Sequence, residues 1–331
     1  MNPRDTARLG RSAVNVTRLG LGTAPLGGLY AAVAHDDALS TIDAAWQAGV
    51  RFFDTAPLYG HGLAETRLGE ALIGRPRESF VLATKVGRLL RPVKGRSVES
   101  AHYKGAPPVE PQFDFSYDGV MTSVEESLAR LKLDRVDILH IHDPDDHYKA
   151  ALYGAYRALA QLRREGVVGA IGAGMNQWQM LQRFAQEADF DCFLLAGRYT
   201  LLDRSAADSL LPLCMQKSIA VIAGGVYNSG VLADPRAGAK FDYDDAPARL
   251  VAQALRLEGV CKAHGVPLKA AAIQFPFTHP AVAAVLTGAR SVAELDENLA
   301  MLQTPIGAAL WEALRETQGQ HNAANFRPRA R

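Results

Sequence analysis

Short apolar runs and amphipathic stretches of helical spacing alternate eight times along the chain, and that order leaves few architectures open. The apolar runs cover residues 19–26, 50–53, 80–85, 136–141, 167–172, 190–195, 219–223 and 282–287. Between and after them lie predicted helices. The first covers 36–48, with Asp36 as expected N-cap and Gly49 just past the end; the next covers 65–73 and is stopped by Gly74. A third covers 118–131, with apolar residues at Val120, Val124, Leu128 and Leu131. Others are expected at 148–164, 177–188, 205–217, 246–264, 267–275, 292–302 and 306–317. Strict alternation implies a parallel sheet with helices outside. Eight units predict an α/β chain forming a single (β/α)8 TIM barrel. One domain is expected over 1–331, with an N-terminal hairpin within 7–18, extra C-terminal helices and a polar tail at about 318–331. An open, doubly wound sheet is the alternative, and it usually opens on a Gly-rich phosphate turn. Leu19-Gly20-Leu21-Gly22-Thr23-Ala24-Pro25 lacks the full spacing of that turn, and Pro25 stands where its helix would begin.

A formal net charge of +1 gives no broad attraction to nucleic acid or to a membrane surface. No run approaches the ~18 apolar residues of a membrane span, and the first residues lack the apolar core of a signal peptide. Cys192, Cys214 and Cys261 are odd in number, far apart and set in apolar segments. They read as buried, reduced thiols, which suits the cytoplasm. A monomer or small homo-oligomer is expected.

A barrel carries its chemistry at the C-terminal ends of its strands. Four successive runs end there in polar groups: Asp54-Thr55-Ala56-Pro57-Leu58-Tyr59-Gly60, Thr84-Lys85, His140-Ile141-His142-Asp143 and Gly174-Met175-Asn176. An acid, a phenol, an ammonium, an imidazole and a carboxamide are thus expected on one rim. Such groups suit a proton transfer coupled to hydride transfer, because a carbonyl that gains hydride needs a proton. A free tyrosine titrates near ~10, and a nearby ammonium would lower that value. Lys85 is expected to do so for Tyr59, with Asp54 keeping the lysine charged and His142 orienting the substrate oxygen. His142 is assigned to the inward, site-facing side, and His140 to the opposite side as a core or interface residue.

The set Asp54, Tyr59, Lys85 and His142, in that order and spacing, resembles the catalytic tetrad of the aldo-keto reductases. The likeness also takes in Arg8-Leu9-Gly10-Arg11-Ser12 and Gly288-Ala289-Arg290-Ser291 with Glu297-Asn298, and so spans nearly the whole chain. Within the family, Ala173-Gly174-Met175-Asn176 and 224–230 are similar to bacterial L-fucose and D-threo-aldose 1-dehydrogenases. The resemblance implies a nicotinamide cofactor, NAD or NADP, and a sugar or aldehyde substrate. It also implies cofactor contacts from Gly22, Thr23, Asp54, Asn176, Tyr227, Asn228, Ser229, Gly230, Gly288, Arg290, Glu294, Glu297 and Asn298. Glu297-Asn298 would meet the adenine. Glu294, a carboxylate near the ribose 2′-position, inclines the reading to NAD, while Arg290 pulls toward NADP. The chain departs from the family where Ser-Asn commonly ends the fifth strand (here Gly174-Met175), where glutamine ends the sixth (Ala196), and where a stacking tyrosine follows the seventh (Gly224). Tyr227 and Asn176 are the nearest replacements.

Other readings remain at this stage. Pyridoxal 4-dehydrogenase or general aldehyde reductase activity would use the same scaffold. His140, His142 and Asp143 could bind a metal for an isomerase or hydrolase, which metal analysis would test. A non-catalytic nicotinamide-binding subunit is a further class. The basic loop with Arg88, Arg91, Lys94 and Arg96 reads as solvated or as a lid. His61 and His147 fall near rim loops open to substrate, and His102 reads as structural or solvated.

Overall fold

The computed structural model describes residues 1–93 and 102–319. Eight parallel strands close into a barrel in chain order. They are β1 (Leu19–Gly22), β2 (Phe52–Asp54), β3 (Val81–Val86), β4 (Ile138–His142), β5 (Ala170–Met175), β6 (Cys192–Ala196), β7 (Ala220–Gly224) and β8 (Val282–Gly288). Strand Thr6–Arg8 pairs antiparallel with Asn15–Thr17 as the expected N-terminal hairpin. Its Leu9 and Val16 join Phe52, Ala83, Ile138, Ala170, Cys192 and Ala220 in one apolar cluster, so the hairpin plugs the N-terminal end of the barrel. Among the described residues no helix is long and apolar enough to cross a membrane. The three cysteines are free and buried.

Several boundaries differ from the sequence pattern, and for physical reasons. Pro25 ends β1 early, and the rest of that apolar run becomes a short 3-10 turn at Pro25–Gly27. Strands β2 to β5 run one to three residues beyond their apolar runs: Asp54 and His142 are themselves paired in the ladder, and Val86 and Ala173–Met175 extend β3 and β5 in the same way. The first helix starts at His35 with Ala34 as N-cap, so Asp36 is not the cap. Asp36 sits instead in the first turn, where its charge favours the helix N-terminus. The helix expected over 148–164 contains a π turn at Ala151–Ala155. The segment between β3 and the Tyr117–Leu131 helix holds a hairpin, Arg88–Pro92 against Val109–Phe113. Lys94 and Arg96 lie outside the described residues, and so does most of the polar tail.

The expectation that His140 and His142 face opposite ways is corrected. Residues two apart on a strand share a face, and both rings point into the barrel. His140 lies one layer lower, its Nε2 3.6 Å from Cys192 Sγ. Burial, with Lys85 nearby, lowers its pKa to about 3, so the ring is neutral. Gly172 of β5 faces that ring: a Cβ there would stand 2.6 Å from His140 Cδ2 and against the Cys192 carbonyl. The backbone clash cannot be relieved by a side-chain rotation. Gly172→Ala is therefore expected to destabilise the fold by ~1–3 kcal/mol. In urea the midpoint should fall with an unchanged slope, and a midpoint equal to wild type would show that the barrel yields at this layer.

Candidate active site

Lys85, near the end of β3, is one of the largest fully buried side chains. Its Nζ donates to Asp54 Oδ1 at 2.6 Å and to the Thr55 carbonyl at 2.8 Å. A buried ammonium needs such partners. The register pairing β2 with β3 brings the two side chains together from adjacent strands. Asp54 Oδ2 is buried with no protein partner among the described residues. Burial raises the Asp54 carboxyl above its ordinary range, against the lowering effect of Lys85.

Tyr59 follows in a tight loop. Gly60 has φ +60, and a Cβ there would lie 2.7 Å from Gly27 Cα and against the Gly27 carbonyl. Only glycine allows this packing of loop on turn, and the packing aims the Tyr59 ring across the barrel mouth. Lys85 Nζ stands 4.6 Å from the Tyr59 ring centroid. The His142 ring meets Tyr59 edge-on, with centroids 5.6 Å apart. The four residues of the expected tetrad are therefore together at one pocket floor.

Their electrostatics correct one expectation. Tyr59 is not acidified in this structure: burial pushes its phenol well above the usual tyrosine range, and the Asp54 charge adds to the effect. Lys85 lies over the ring face and is neutralised by Asp54, so it does little for a phenolate here. His142 is held well below the usual histidine range, by burial first and then by Arg88, Lys85 and His140. The floor thus holds a neutral phenol and a neutral imidazole over a buried ion pair.

The pocket above is lined by Leu29, Leu58, His102, Tyr103, Asp143 and Tyr243 as well as the floor residues. Sequence reasoning missed most of these, since they come from long connections rather than strand ends. His102, expected to be structural or solvated, is on the pocket wall against Tyr243 at 5.8 Å between ring centroids. Its carbonyl accepts from Tyr30 N–H, and Lys104 N–H donates to Gly28, which ties this segment to the first βα loop. The two rim histidines open to substrate are engaged elsewhere. His61 Nδ1 lies 2.8 Å from the Val109 carbonyl, and His147 packs on Phe113 and Phe115.

A second cleft continues from the pocket, sharing Tyr59, Asn176, Ala196 and Tyr243 with it. Of the expected cofactor residues, Gly22, Asp54, Asn176, Tyr227, Asn228, Ser229, Gly230 and Gly288 line it. A Cβ at Gly230 would meet nothing within 4 Å, whereas Gly225 (φ +60) has its Cβ position 3.1 Å from Gly197 N, so backbone forms much of this wall. Asn176 Nδ2 donates to the Ala196 carbonyl, which sets a carboxamide at the junction of pocket and cleft. That arrangement fits a flat, extended cofactor.

Other expected contacts are placed differently. Thr23 is fully buried off the cleft, and its hydroxyl donates to the Asp54 carbonyl. It thereby braces the backbone at Asp54. Asn228 spends its amide on Gly197 and accepts from Thr200. Asn298 is also buried, donating to the Gly288 carbonyl and accepting from the Tyr227 hydroxyl. Tyr227 is thereby fixed toward the Val292–Gln303 helix, and Tyr243 and Tyr59 are the aromatics at the junction. Glu297 pairs with Lys269. Arg290 and Glu294 pair with each other at 2.7 Å, and the Arg290 N–H also donates to Glu294. Burial raises the Glu294 pKa, but these bonds outweigh it and lower it overall. Among the described residues no group of three or more His, Cys, Asp or Glu is placed to hold a metal ion.

Comparison with known proteins gives the same picture. The model of the Aldo/keto reductase family matches residues 18–318. The chain is 43% identical to the pyridoxal 4-dehydrogenase of Microbacterium luteolum, covering 93% of this chain and 95% of that one. It is 41% identical to a D-threo-aldose 1-dehydrogenase of a Pseudomonas species, covering 92% and 94%. Among solved structures, the glycerol dehydrogenase from Gluconobacter oxydans superposes with a TM-score of 0.75 at 23% identity, covering 99% of both chains. That last likeness carries the fold.

Removing one partner of the buried pair leaves the other charge uncompensated. Lys85→Met is expected to cost ~3–5 kcal/mol of stability at pH 7, more than an active-site substitution confined to chemistry would. The stranded Asp54 has a folded pKa above its unfolded value. Its penalty is therefore absent below the unfolded pKa and grows as pH rises toward the folded one. Urea unfolding should show a smaller deficit at pH 5 than at pH 7, and adding Asp54→Asn should restore most of it. A Lys85→Met midpoint equal to wild type at both pH values would rule this out.

Proposed function

The chain belongs to the aldo/keto reductase family and is an oxidoreductase, and from that premise we propose that it oxidises C1 of a cyclic aldose to a lactone. The observation that carries the proposal is the meeting of the Tyr59 ring, the His142 imidazole and the Lys85–Asp54 pair at the pocket floor, beside the glycine-lined cleft. The similarity to an aldose 1-dehydrogenase supports the choice of substrate, and L-fucose-like stereochemistry is the first to test. NAD or NADP would lie along the cleft and, when bound, would supply the hydride acceptor for oxidation at C1 or the hydride donor for reduction of a carbonyl. Gly22, Asn176, Ser229, Gly230 and Gly288 would hold it.

The chain's own residues then handle one proton and one oxygen. Oxidation breaks the C1–H and O–H bonds of the hemiacetal and forms the lactone C=O. Tyr59 takes the hydroxyl proton, and His142, neutral, orients the oxygen by a hydrogen bond. In the reverse direction Tyr59 gives its proton to the developing alkoxide. A phenol raised by burial is ready as an acid, whereas oxidation needs its minor phenolate form. Free, buried thiols accord with a reducing cytoplasm.

A second reading is favoured by the wall of aromatic rings, Tyr103, Tyr243 and His102, and by the pyridoxal 4-dehydrogenase relative. A pyridine ring would stack there, and its aldehyde would be the reacting group. A panel of aldoses, pyridoxal and simple aldehydes, run in both directions with each cofactor, separates these readings. Turnover of aldehydes or pyridoxal with no aldose oxidised would displace the lactone reading.

Three outcomes are expected. Tyr59→Phe should lower turnover at least ~10²-fold in both directions, with cofactor affinity nearly unchanged; a folded variant with near-normal turnover removes the assignment. The oxidation rate should climb with pH over the neutral and mildly alkaline range while the reduction rate stays flat, since only oxidation waits on a phenolate. Equal pH profiles in the two directions would contradict that. Both cofactors should work, with a modest lean to NAD, because Arg290 is already engaged by Glu294. Arg290→Ala frees the Glu294 carboxylate and should weaken NADP more than NAD by roughly tenfold, ~1.4 kcal/mol. A wild type preferring NADP by ~10²-fold would show that Glu294 does not act on the 2′-position.

A further inference from the structure

Asp143 lies immediately beyond β4 and is used by none of the steps above. Among the described residues lining the substrate pocket it is the one carboxylate. Its backbone has φ +39, a left-handed conformation that a non-glycine residue adopts at a cost. Its N–H donates to the Gly174 carbonyl of β5, which holds that conformation in place. The result is a carboxylate turned toward the floor: Oδ2 is 3.4 Å from His142 Nε2. Arg88, from the hairpin strand Arg88–Pro92, approaches the same oxygen from the other side, also at 3.4 Å. Arg88 is itself largely buried, and its guanidinium stacks on Phe113.

Two features separate this from an ordinary ion pair. The contact is long and single rather than a bidentate fork, so it does not satisfy the carboxylate. Both recorded contacts fall on Oδ2, which leaves Oδ1 as an acceptor without a partner among the described residues. A half-buried carboxylate with an open acceptor fits a donor that arrives with the ligand. The Asp143 charge is also felt at Tyr59, Tyr103 and Tyr243, which places it centrally in the pocket. Burial lifts its carboxyl to about 6, against the pull of Arg88, so it is still mainly an anion above neutral pH.

The reacting oxygen must lie within reach of both Tyr59 and His142. Asp143 is one hydrogen-bond length further along the wall, where the oxygen on the next carbon of a hydroxylated substrate would stand. We propose that Asp143, held by Arg88, accepts a hydrogen bond from the hydroxyl next to the reacting carbon and so selects 2-hydroxy carbonyl compounds and aldoses over unadorned aldehydes. Tyr103 and Tyr243 offer ring faces to the C–H side of such a substrate, while the carboxylate reads its O–H side. This deepens the substrate class proposed above and rests on that reading for the position of the reacting oxygen.

The deciding quantity is the ratio of kcat/KM for glyceraldehyde reduction to that for propanal reduction. A charged hydrogen bond to one hydroxyl gives an expected wild-type preference of about 10- to 100-fold. In Asp143→Ala the loss on glyceraldehyde should exceed the loss on propanal enough to bring the ratio within about threefold of unity. Asp143→Asn keeps an oxygen acceptor without the charge and should give an intermediate ratio; it also decides the matter if the alanine variant does not fold. In the oxidative direction, an aldose and its 2-deoxy counterpart should show the same pattern. A wild type with no preference for the hydroxylated aldehyde, or variants that lose both aldehydes alike, overturns the proposal. Aldose oxidation does not enter the deciding ratio. A protein that oxidises no aldose would therefore refute the lactone reading while the ratio still decides the role of Asp143.

Discussion

The ammonium of Lys85 is buried inside the barrel mouth, and its bonds to Asp54 and to the Thr55 carbonyl organise what lies around it. Asp54 is held from behind by Thr23, whose hydroxyl and N–H both meet its carbonyl. Thr55 opens the loop that carries Tyr59. One buried charge thus ties the ends of β1, β2 and β3 together, and the phenol ring rests on it. A charge at this depth is costly alone and tolerable only with its partner. The same low-polarity surroundings that make the pair costly hold Tyr59 and His142 neutral. Stability and acid–base readiness therefore come from one feature of the floor.

Above that floor, small residues decide where space is left. Gly172 makes room for the His140 ring, and Gly174, opposite His142 in the register, lets the pocket extend inward. Gly22, Gly224, Gly225 and Gly288 line the adjoining cleft with backbone. The long connection after β3 works in the opposite sense. It brings His102 and Tyr103 back over the mouth and fastens them to Gly28 and Tyr30. Tyr243 closes the far side, its N–H donating to the Ser229 hydroxyl. The barrel strands form the pocket floor, and two long loops form its wall.

The helix-strand alternation made the barrel legible, because each strand is buried on both faces and each helix on one. The tetrad was legible for a different reason: polar residues at the ends of apolar runs are out of place unless something pairs them. Boundaries were less so. Strands β2 and β4 end in polar residues, Asp54 and His142, which hydrophobic periodicity counts as loop, and β5 runs on through Gly174 to Met175. Glu294 shows a related limit. Its carboxylate meets the N–H of Arg290, and its own N–H donates to the Ser291 hydroxyl that caps the helix, so a local capping role accounts for part of what looked like ligand chemistry.

The sequence by itself determined the eightfold order of elements, the burial of the three thiols and the four residues that gather at one rim. All of these follow from local patterning, since a strand has two faces and a barrel has one chemically useful end. Tertiary structure alone decided which way each polar atom is spent. Thr23, Asn228 and Asn298 turn inward to hold backbone and side chains, while Asp143, His102 and Tyr243 come to the pocket from outside the strands. It also decided that Tyr59 is raised rather than lowered, because burial and the neutralising Asp54 outweigh a lysine that lies over the ring face. Long-range contacts between loops and the depth of a charge below the surface are sums over the whole fold, and no window of sequence contains them.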